Sequence, residues 1–283
     1  MECWRYKATQ RKPMIKNKLL NSYGASFIRK NREMDDKPNE DFIIVDNEHK
    51  IFIVCDGVTR SSVNEHYPNP SPAATASALF AKTVQTSLID LLLAATPKKS
   101  LIKAIKNGNE AVAEFNKYTF PKIDYFANDF AGTVAIIGLI RNNKFYYAYI
   151  GDCSGYLITT KATSRFTTSQ TDQIETYRKK FGFSKETTIK IRRDFRNNKL
   201  HPLGYGVFTG EPTALDFVEF GSLRLKADQK ILLTSDGVSP LLEYESKLYF
   251  GISPETIISQ TEMLEDKFGI RSDDKAVVII SIT

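Results

Sequence analysis

Two short apolar runs in this chain each end in an aspartate followed by a glycine. Ile51-Phe52-Ile53-Val54-Cys55 leads into Asp56-Gly57, and Ile231-Leu232-Leu233-Thr234-Ser235 leads into Asp236-Gly237. Runs of this length and composition predict buried β-strands, and aspartate is both depleted in strands and costly to bury without a partner. One such pair is typical of a tight turn. Two pairs after two similar runs favour a polar site at the place where the strands end.

Further acids stand at other predicted strand ends. Asp41 precedes the apolar run at 42–45, and Asp129 lies just before the run at 133–140. Asp273 and Asp274 precede the last run, at 276–282. Carboxylates gathered at one sheet edge repel each other, and hard divalent cations relieve that repulsion. Ligands rich in oxygen select Mg²⁺ or Mn²⁺ over zinc, and a glycine after an aspartate lets a backbone carbonyl approach a metal closely. The pattern therefore predicts a divalent metal site.

The order of the predicted elements defines the fold class. We predict strands at residues 42–45, 51–54, 133–140, 145–150, 155–160, 217–220, 230–234 and 276–282. Helices are predicted after Ser71-Pro72, at 101–118 and at 254–268, the last with Ser253 as its N-cap and Gly269 after its final turn. Two sheets with helices on the outside satisfy this order.

Length and composition fit one globular domain. The 283 residues are enough to bury a full core, and 42% hydrophobic with 25% charged residues excludes collagen and wholesale disorder. The longest clean apolar run, 133–140, is too short to cross a bilayer. We expect a basic N-terminal arm at residues 1–20, one domain at 21–283, no membrane contact, and a monomer.

The few cysteines and histidines do not suggest a nucleophile or a metal site of their own. The chain has three of each: Cys3, Cys55, Cys153, His49, His66 and His201. Three scattered cysteines are too few for a disulfide framework or a zinc site, and a reducing, cytoplasmic setting is the simplest interpretation. We expect Cys55 and Cys153 to be buried small hydrophobic residues and the histidines to be ordinary turn or surface residues.

Positive charge concentrates within a long polar stretch at about residues 161–213. Residues 178–199 carry nine lysines and arginines against two acids, in a chain of formal net charge +6. Such a segment either steers anionic partners or forms an ordinary solvated surface, and its pattern leaves both open. Nucleic-acid binding is disfavoured, because aromatic residues are sparse here and no reading motif is present.

Taken together in chain order, six short pieces resemble the metal-dependent serine/threonine protein phosphatases of type 2C. The pieces are Asn39-Glu40-Asp41, Val54-Cys55-Asp56-Gly57, Ala131-Gly132-Thr133 with Asp129 before it, Ile150-Gly151-Asp152-Cys153-Ser154, Thr234-Ser235-Asp236-Gly237 and Ser272-Asp273-Asp274-Lys275. They span most of the chain. The resemblance implies an α+β fold, a four-layer α-β-β-α sandwich of two antiparallel sheets flanked by helices, with a catalytic domain at 21–283 and a basic flap-like insertion at about 161–213.

The resemblance also implies two Mn²⁺ or Mg²⁺ ions and a role for each matching residue. Asp56 would bridge both metals, Gly57 would offer its backbone carbonyl, and Asp236 and Asp273 would complete the ligands of one ion. Glu40 and Asp41 resemble the acids that hold metal-bound waters, and Asp129 matches a position that helps to hold a third, weaker metal. Asp152 is expected to brace a strand turn rather than to bind metal.

The chain departs from the family pattern near the first acidic piece. Many members carry a phosphate-binding arginine five positions before the first aspartate, and that place is Asp36 here, in a loop that looks lengthened. Arg32 and Lys37 are the candidates to replace it. Val58 stands where some eukaryotic members have a histidine proposed as a general acid.

A second departure lies at the last acidic piece. Asp274 occupies the position of the usual asparagine, which leaves open whether Asp273 or Asp274 is the ligand.

The predicted function is hydrolysis of phosphoserine and phosphothreonine in proteins by a water shared between two metal ions. Asp56 and Asp236 would act through that water, and the substrates would be phosphorylated proteins, acidic ones among them. Neutralising Arg192, Arg193 and Arg196 would then raise KM for a phosphopeptide and leave p-nitrophenyl phosphate turnover unchanged. The alternatives are a catalytically weak or inactive phosphoprotein-binding module of the same fold, and a two-metal phosphodiesterase or nucleic-acid enzyme.

Overall fold

The computed structural model describes residues 20–33, 37–58, 69–91, 94–123, 129–182, 184–245 and 247–283. In these ranges the strands are β1 Ser22–Arg29, β2 Phe42–Asp46, β3 Ile51–Val58, β4 Gly132–Arg141, β5 Lys144–Ile150, β6 Ser154–Ile158, β7 Thr163–Arg165, β8 Glu219–Arg224, β9 Gln229–Thr234 and β10 Lys275–Ile282. The α-helices are α1 Pro72–Leu91, α2 Pro97–Thr119, α3 Asp172–Phe181, α4 Lys185–Lys190, α5 Ser239–Tyr244 and α6 Pro254–Phe268.

The strands form two five-stranded antiparallel sheets stacked face to face. One sheet has the order β1-β10-β9-β6-β7, and the other has the order β2-β3-β4-β5-β8. Helices α1 and α2 pack on each other and on β2, β3 and β4, while α6 packs on β1, β10 and α5. The predicted fold class, an α+β sandwich with the layer order α-β-β-α, is confirmed.

The main core lies between the sheets and under α1 and α2. Phe52, Ile136 and Ile280 are fully buried in it, and burial of one such side chain contributes about 1.5–3 kcal/mol. β4 is buried along nine of its ten residues, because one face meets the opposite sheet and the other meets the helices. This double coverage explains why residues 133–140 are continuously apolar instead of alternating.

Local signals predicted α6 well. Ser253 is its N-cap and accepts a hydrogen bond from the Thr256 N–H, and Gly269 ends it in the left-handed region with φ of 63°. These features confirm the predicted bounds, because a side-chain cap and a residue with positive φ stop a helix at defined points. The second predicted helix begins earlier than expected, at Pro97.

Two strand predictions need correction. β1 was not predicted, because Ser22, Gly24 and Ser26 dilute its apolar pattern, yet it pairs with β10 along its whole length. The strand predicted at 217–220 is wrong in its bounds: Pro212–Phe217 is a 3-10 helix, and the strand is β8. β8 lies at a sheet edge and has no fully buried residue, so its pattern has little of the hydrophobic character used to find strands.

The long polar stretch has short elements of its own, as expected. Besides β7, α3 and α4, it contains a π-helical turn at Ile191–Phe195. Ile191 and Phe195 pack with Ile174 of α3 in a small separate cluster. None of the helices in the described ranges is long and apolar enough to cross a membrane.

Candidate active site

The acidic residues converge because neighbouring strands run in opposite directions. Phe42 pairs with Cys55, and Val58 pairs with Gly132, so the starts of β2 and β4 lie beside the end of β3. In the other sheet, Thr234 at the end of β9 pairs with both Val277 of β10 and Ser154 of β6. Asp41, Asp56, Asp129, Asp152, Asp236 and Asp273 therefore all lie at one end of the sandwich.

A cleft of about 320 Å³ opens at this end. Its acidic lining comes from both sheets, from the loops between them and from α3: Glu40, Asp56, Asp129, Asp152, Glu175, Asp236, Asp273 and Asp274. Its basic lining is Lys37, Arg178, Arg192 and Arg196. The cleft thus combines a group of carboxylates with cations from distant parts of the chain.

The two aspartates of the Asp-Gly pairs lie close together. Burial, followed by the charge of Asp236 and then of Asp41, holds the pKa of Asp56 well above its usual range. Burial and the neighbouring Asp152 and Asp273 raise the pKa of Asp236 to about 7, although a hydrogen bond with Asp56 opposes the rise. Carboxyls this crowded retain protons near neutral pH unless a cation neutralises them.

Glu40 and Asp41 are buried beside this group and have protein partners. The Ser71 hydroxyl donates to Oε1 of Glu40 over 2.5 Å, and Oε2 of Glu40 is 3.2 Å from Nζ of Lys37. The Ser235 hydroxyl donates to Oδ2 of Asp41 over 2.7 Å, while burial raises the pKa of Asp41 well above its usual range. Both acids are held in fixed positions by hydroxyl groups.

The adjacent acids Asp273 and Asp274 occupy different environments. Asp274 is buried, and its two oxygens accept hydrogen bonds from the backbone N–H groups of Asn31 and Glu40, at 2.8 and 2.9 Å. The Asp273 side chain is 59% exposed. Asp274 thus ties the loop before β10 to the loop before β2, whereas Asp273 faces the cleft.

Two glycines allow the close approaches that this arrangement requires. A Cβ on Gly57 would lie 2.7 Å from the Glu40 carbonyl oxygen, and one on Gly237 would lie 1.8 Å from the Asp274 carbonyl oxygen. Both distances are far inside van der Waals contact. The glycine after each aspartate is therefore needed for the two acidic loops to pack against the strand ends.

Lys275 holds the loop that contains Asp273 and Asp274 in place. Its fully buried ammonium group contacts Oε1 of Glu265 at 2.8 Å, the Asp273 carbonyl oxygen at 2.8 Å and the Ser272 hydroxyl at 3.0 Å. Removing one member of a buried ion pair leaves an uncompensated charge. The contact therefore anchors the site to α6.

Lys275→Met should lower the free energy of unfolding by about 3 kcal/mol, because Glu265 loses its buried cation. Urea denaturation measures this loss, and Lys226→Met, at an exposed lysine just before a turn, is the matched control. A Lys275→Met change as small as that of the control would contradict this role.

The structure separates the two candidates for phosphate binding. The Arg32 guanidinium lies against α6, 3.1 Å from Oε2 of Glu265 and 2.9 Å from Oδ1 of Asp266, and it is not in the cleft lining. Lys37 is in that lining, where Glu40, Asp274 and Asp273 outweigh the opposing effect of burial and raise its pKa. Asp36 lies outside the described residues.

Predictions for the cysteines and histidines are largely confirmed. Cys55 and Cys153 are buried, and burial raises the pKa of each thiol, as expected for small core residues. His49 pairs with Asp46 in a turn at 2.9 Å, and His201 stacks on Phe195. Cys3 and His66 lie outside the described residues.

Sequence reasoning did not place Arg178, Arg192, Arg196 or Asp152 in the lining of the cleft. Asp152 lines the cleft and accepts a hydrogen bond from the Thr171 hydroxyl at 3.0 Å, and burial raises its pKa. Arg178, Arg192 and Arg196 come from a segment that was treated as one charged surface. The interleaved Ile189, Ile191 and Phe195 were the available signal, because apolar residues at such spacing indicate that one face of the segment is packed.

Among the acidic residues of the cleft, only the central ones, Asp56, Asp236 and Asp273, suit a pair of divalent cations. Asp56 and Asp236 are crowded carboxyls with no cationic side chain bonded to them in the described ranges, and Asp273 shares their cleft. Across those ranges, no group of three or more His, Cys, Asp or Glu side chains is arranged so that it could hold a metal ion. The chemistry of oxygen donors with raised pKa values nevertheless suits Mg²⁺ or Mn²⁺.

Asp129 does not fit a metal ligand. The Arg196 Nη1 group donates to both of its oxygens, at 2.9 and 2.8 Å, and the Phe130 N–H donates to Oδ1 at 2.7 Å. The carboxylate that was predicted to help hold a third metal therefore already has a buried arginine as its counter-ion.

Comparisons with known proteins agree with this architecture. The family model described as Protein phosphatase 2C matches residues 28–176, more than half of the chain. The chain belongs to the protein phosphatase 2C family, and it is thereby a serine/threonine protein phosphatase by class. No curated protein sequence matches it.

Solved structures show the same fold at low sequence identity. The serine/threonine phosphatase PstP/Ppp of Mycobacterium tuberculosis is 18% identical with a TM-score of 0.63, over 93% of this chain and 99% of that chain. The catalytic domain of PstP in complex with two manganese ions is 18% identical, with a TM-score of 0.62 over 94% and 100%. The S. agalactiae serine/threonine phosphatase is 12% identical, with a TM-score of 0.58 over 92% and 99%.

Proposed function

We propose that this chain hydrolyses phosphoserine and phosphothreonine esters in proteins and that it requires two Mn²⁺ or Mg²⁺ ions. The observation that carries the proposal is the contact between Asp56 and Asp236, two carboxyls from different sheets whose pKa values are both raised at the floor of one cleft. A fold gains nothing in stability from such crowding, so a cation-dependent role is the better explanation. The two manganese ions bound to the PstP catalytic domain support the same chemistry.

The residues of the site divide into ligands and supports. Asp56, Asp236, Asp273 and the Gly57 carbonyl are proposed to hold the ions, which when bound supply charge neutralisation for the phosphoryl group and a more acidic water. Ser71 and Ser235 fix Glu40 and Asp41 so that these acids orient water within the cleft. Asp274 and Lys275 support the loop that carries Asp273.

The substrates are proposed to be phosphorylated proteins, since a phosphate monoester carries close to two negative charges near neutral pH. Several lysines of the insertion are exposed, and these would favour substrates with acidic residues near the phosphate: Lys179, Lys180, Lys185 and Lys190.

Phosphate release from a phosphothreonine peptide tests the proposal. We expect turnover with Mn²⁺ or Mg²⁺, background rates with EDTA, and recovery when Mn²⁺ is added back in excess. Asp56→Asn should remain folded and inactive. Binding of the phosphopeptide without turnover under any metal would contradict the proposal and favour a non-catalytic binding module, and strongly salt-dependent binding of nucleic acid would favour the phosphodiesterase alternative.

A further inference from the structure

The basic residues of the insertion have two separate locations. Arg178, Arg192 and Arg196 line the cleft together with Asp56 and Asp236. Arg193 instead points outward with a 57% exposed side chain, and its guanidinium contacts Asp194 at 2.7 Å. The segment is therefore not one uniform surface, since Arg192 and Arg196 face the cleft whereas Arg193 faces away from it.

Local structure explains how neighbouring arginines come to face opposite ways. The π-helical turn packs through Ile191 and Phe195 against Ile174 of α3, and the rings of Tyr177 and Phe195 pack edge to face with their centroids 5.1 Å apart. Fixing these apolar residues inward sets the direction of the side chains between them. π-helical turns are rare and occur frequently at functional sites.

Asp129 anchors the two arginines at the cleft. Its side chain is 1% exposed and pairs with Arg196, which is 4% exposed, through one guanidinium nitrogen. The Nε atom of Arg192 is 3.5 Å from Oδ2 of the same carboxylate. One buried aspartate thus holds two cations beside the acids of the proposed metal site, at the position where the family resemblance implied a third metal.

Both guanidinium groups retain hydrogen-bond donors for an anion. Nη2 of Arg196 is buried without a hydrogen-bond partner among the described residues. Nε of Arg192 lies beyond the 2.7–2.9 Å of a strong charge-assisted bond, and in the described ranges Asp129 is the one acid within ion-pair distance of Arg192. Burial lowers the pKa of Arg192 despite Asp129, whereas Asp129 and Glu211 outweigh burial and raise that of Arg196. The charge of Arg192 is therefore only partly compensated.

A substrate phosphate needs such donors here. The two cations predicted from the sequence to bind phosphate already pair with acids of the protein. Arg32 binds acids of α6, and Lys37 lies among Glu40, Asp273 and Asp274. Arginine presents a planar set of N–H groups that matches phosphate oxygens in pairs.

We propose that Arg192 and the Nη2 group of Arg196 bind the phosphoryl oxygens of the substrate, and that Asp129 positions these arginines instead of holding a third metal. This inference rests on the phosphatase function proposed above. It makes the insertion part of the phosphate site, so even a small substrate that makes no protein contacts depends on it.

The test compares neighbouring residues with opposite orientations. Arg192→Gln should raise KM for both the phosphothreonine peptide and p-nitrophenyl phosphate about tenfold to a hundredfold, and weaken binding of inorganic phosphate by a similar factor, because charge-assisted hydrogen bonds are lost. Arg192→Lys should recover part of that affinity. Arg193→Gln is the matched control and should leave both KM values and the affinity for inorganic phosphate unchanged. Mn²⁺ affinity and thermal stability should stay at wild-type values in both glutamine variants.

Metal stoichiometry tests the role of Asp129. Wild type and Asp129→Asn should both bind two Mn²⁺ ions in a calorimetric titration, while Asp129→Asn binds inorganic phosphate more weakly because its arginines lose their anchor. Loss of one Mn²⁺ ion in Asp129→Asn, or equal phosphate affinity in Arg192→Gln and Arg193→Gln, would overturn the inference. Phosphate binding needs no turnover, so a wild type that binds phosphate through Arg192 but hydrolyses neither substrate would support this site and contradict the proposed function.

Discussion

Asp236→Asn should lower the turnover of a phosphothreonine peptide about a thousandfold or more, which corresponds to a loss of about 4 kcal/mol of transition-state stabilisation. The carboxyl of Asp236 is hydrogen-bonded with Asp56 at the floor of the cleft. An asparagine of nearly the same shape keeps the packing but removes the charge that a divalent ion requires. Steady-state kinetics at saturating Mn²⁺ measure the loss.

The control for this prediction is an aspartate of the same fold outside the cleft. Asp90→Asn changes an exposed residue near the end of α1 and should leave both kinetic constants at wild-type values. If Asp236→Asn retained a tenth of wild-type turnover with circular dichroism unchanged, the proposed role of this carboxylate would be wrong.

The metal-free protein should become less stable as pH rises from 5 to 8, and Mn²⁺ should reverse this trend. Asp236 has a pKa of about 7 in the fold, against about 3.9 for an ordinary aspartate. Between these values the folded state binds a proton that the unfolded state has released, so the free energy of unfolding falls with pH. The slope approaches about 1.4 kcal/mol per pH unit for one such group.

Thermal melts of wild type and Asp236→Asn isolate this contribution. In EDTA, the wild-type Tm should fall relative to that of the variant as pH rises through 7, because the variant has no carboxyl to ionise at this position. Saturating Mn²⁺ should raise the wild-type Tm more at pH 8 than at pH 5, since metal binds the ionised carboxylates and stabilises the folded state. A wild-type Tm that ran parallel to the variant's in EDTA would contradict the crowding of these acids.

Much of this site follows from strand-end patterns alone. Asp56 and Asp236 each follow a buried strand, and antiparallel pairing brings such ends to one edge of the sandwich. The pattern needs only local information, because a short apolar run followed by Asp-Gly marks both the strand and its end. Two sheets with outer helices were predictable from equally local apolar patterns and the helix Pro254–Phe268 from its N-cap and C-terminal glycine, whereas the α-β-β-α layer order was an expectation from the family resemblance.

Other features depend on contacts between residues far apart in the sequence. Arg196 meets Asp129 across 67 positions, and the direction of Arg196 depends on how a short π-helical turn packs on α3. Asp274 is bonded to backbone N–H groups of Asn31 and Glu40, more than 230 positions away, which no local pattern reveals. The strand β1 is stabilised by its pairing with β10 rather than by its own composition.

Anomalous X-ray scattering from a crystal grown with Mn²⁺ tests the central claim most directly. The account predicts two Mn²⁺ peaks in the cleft, both against Asp56 and one of them also against Asp236 and Asp273, with the Asp129 carboxylate still paired with Arg196. A cleft without manganese at saturating concentration, with the Asp56 and Asp236 carboxylates turned away from each other, would contradict it.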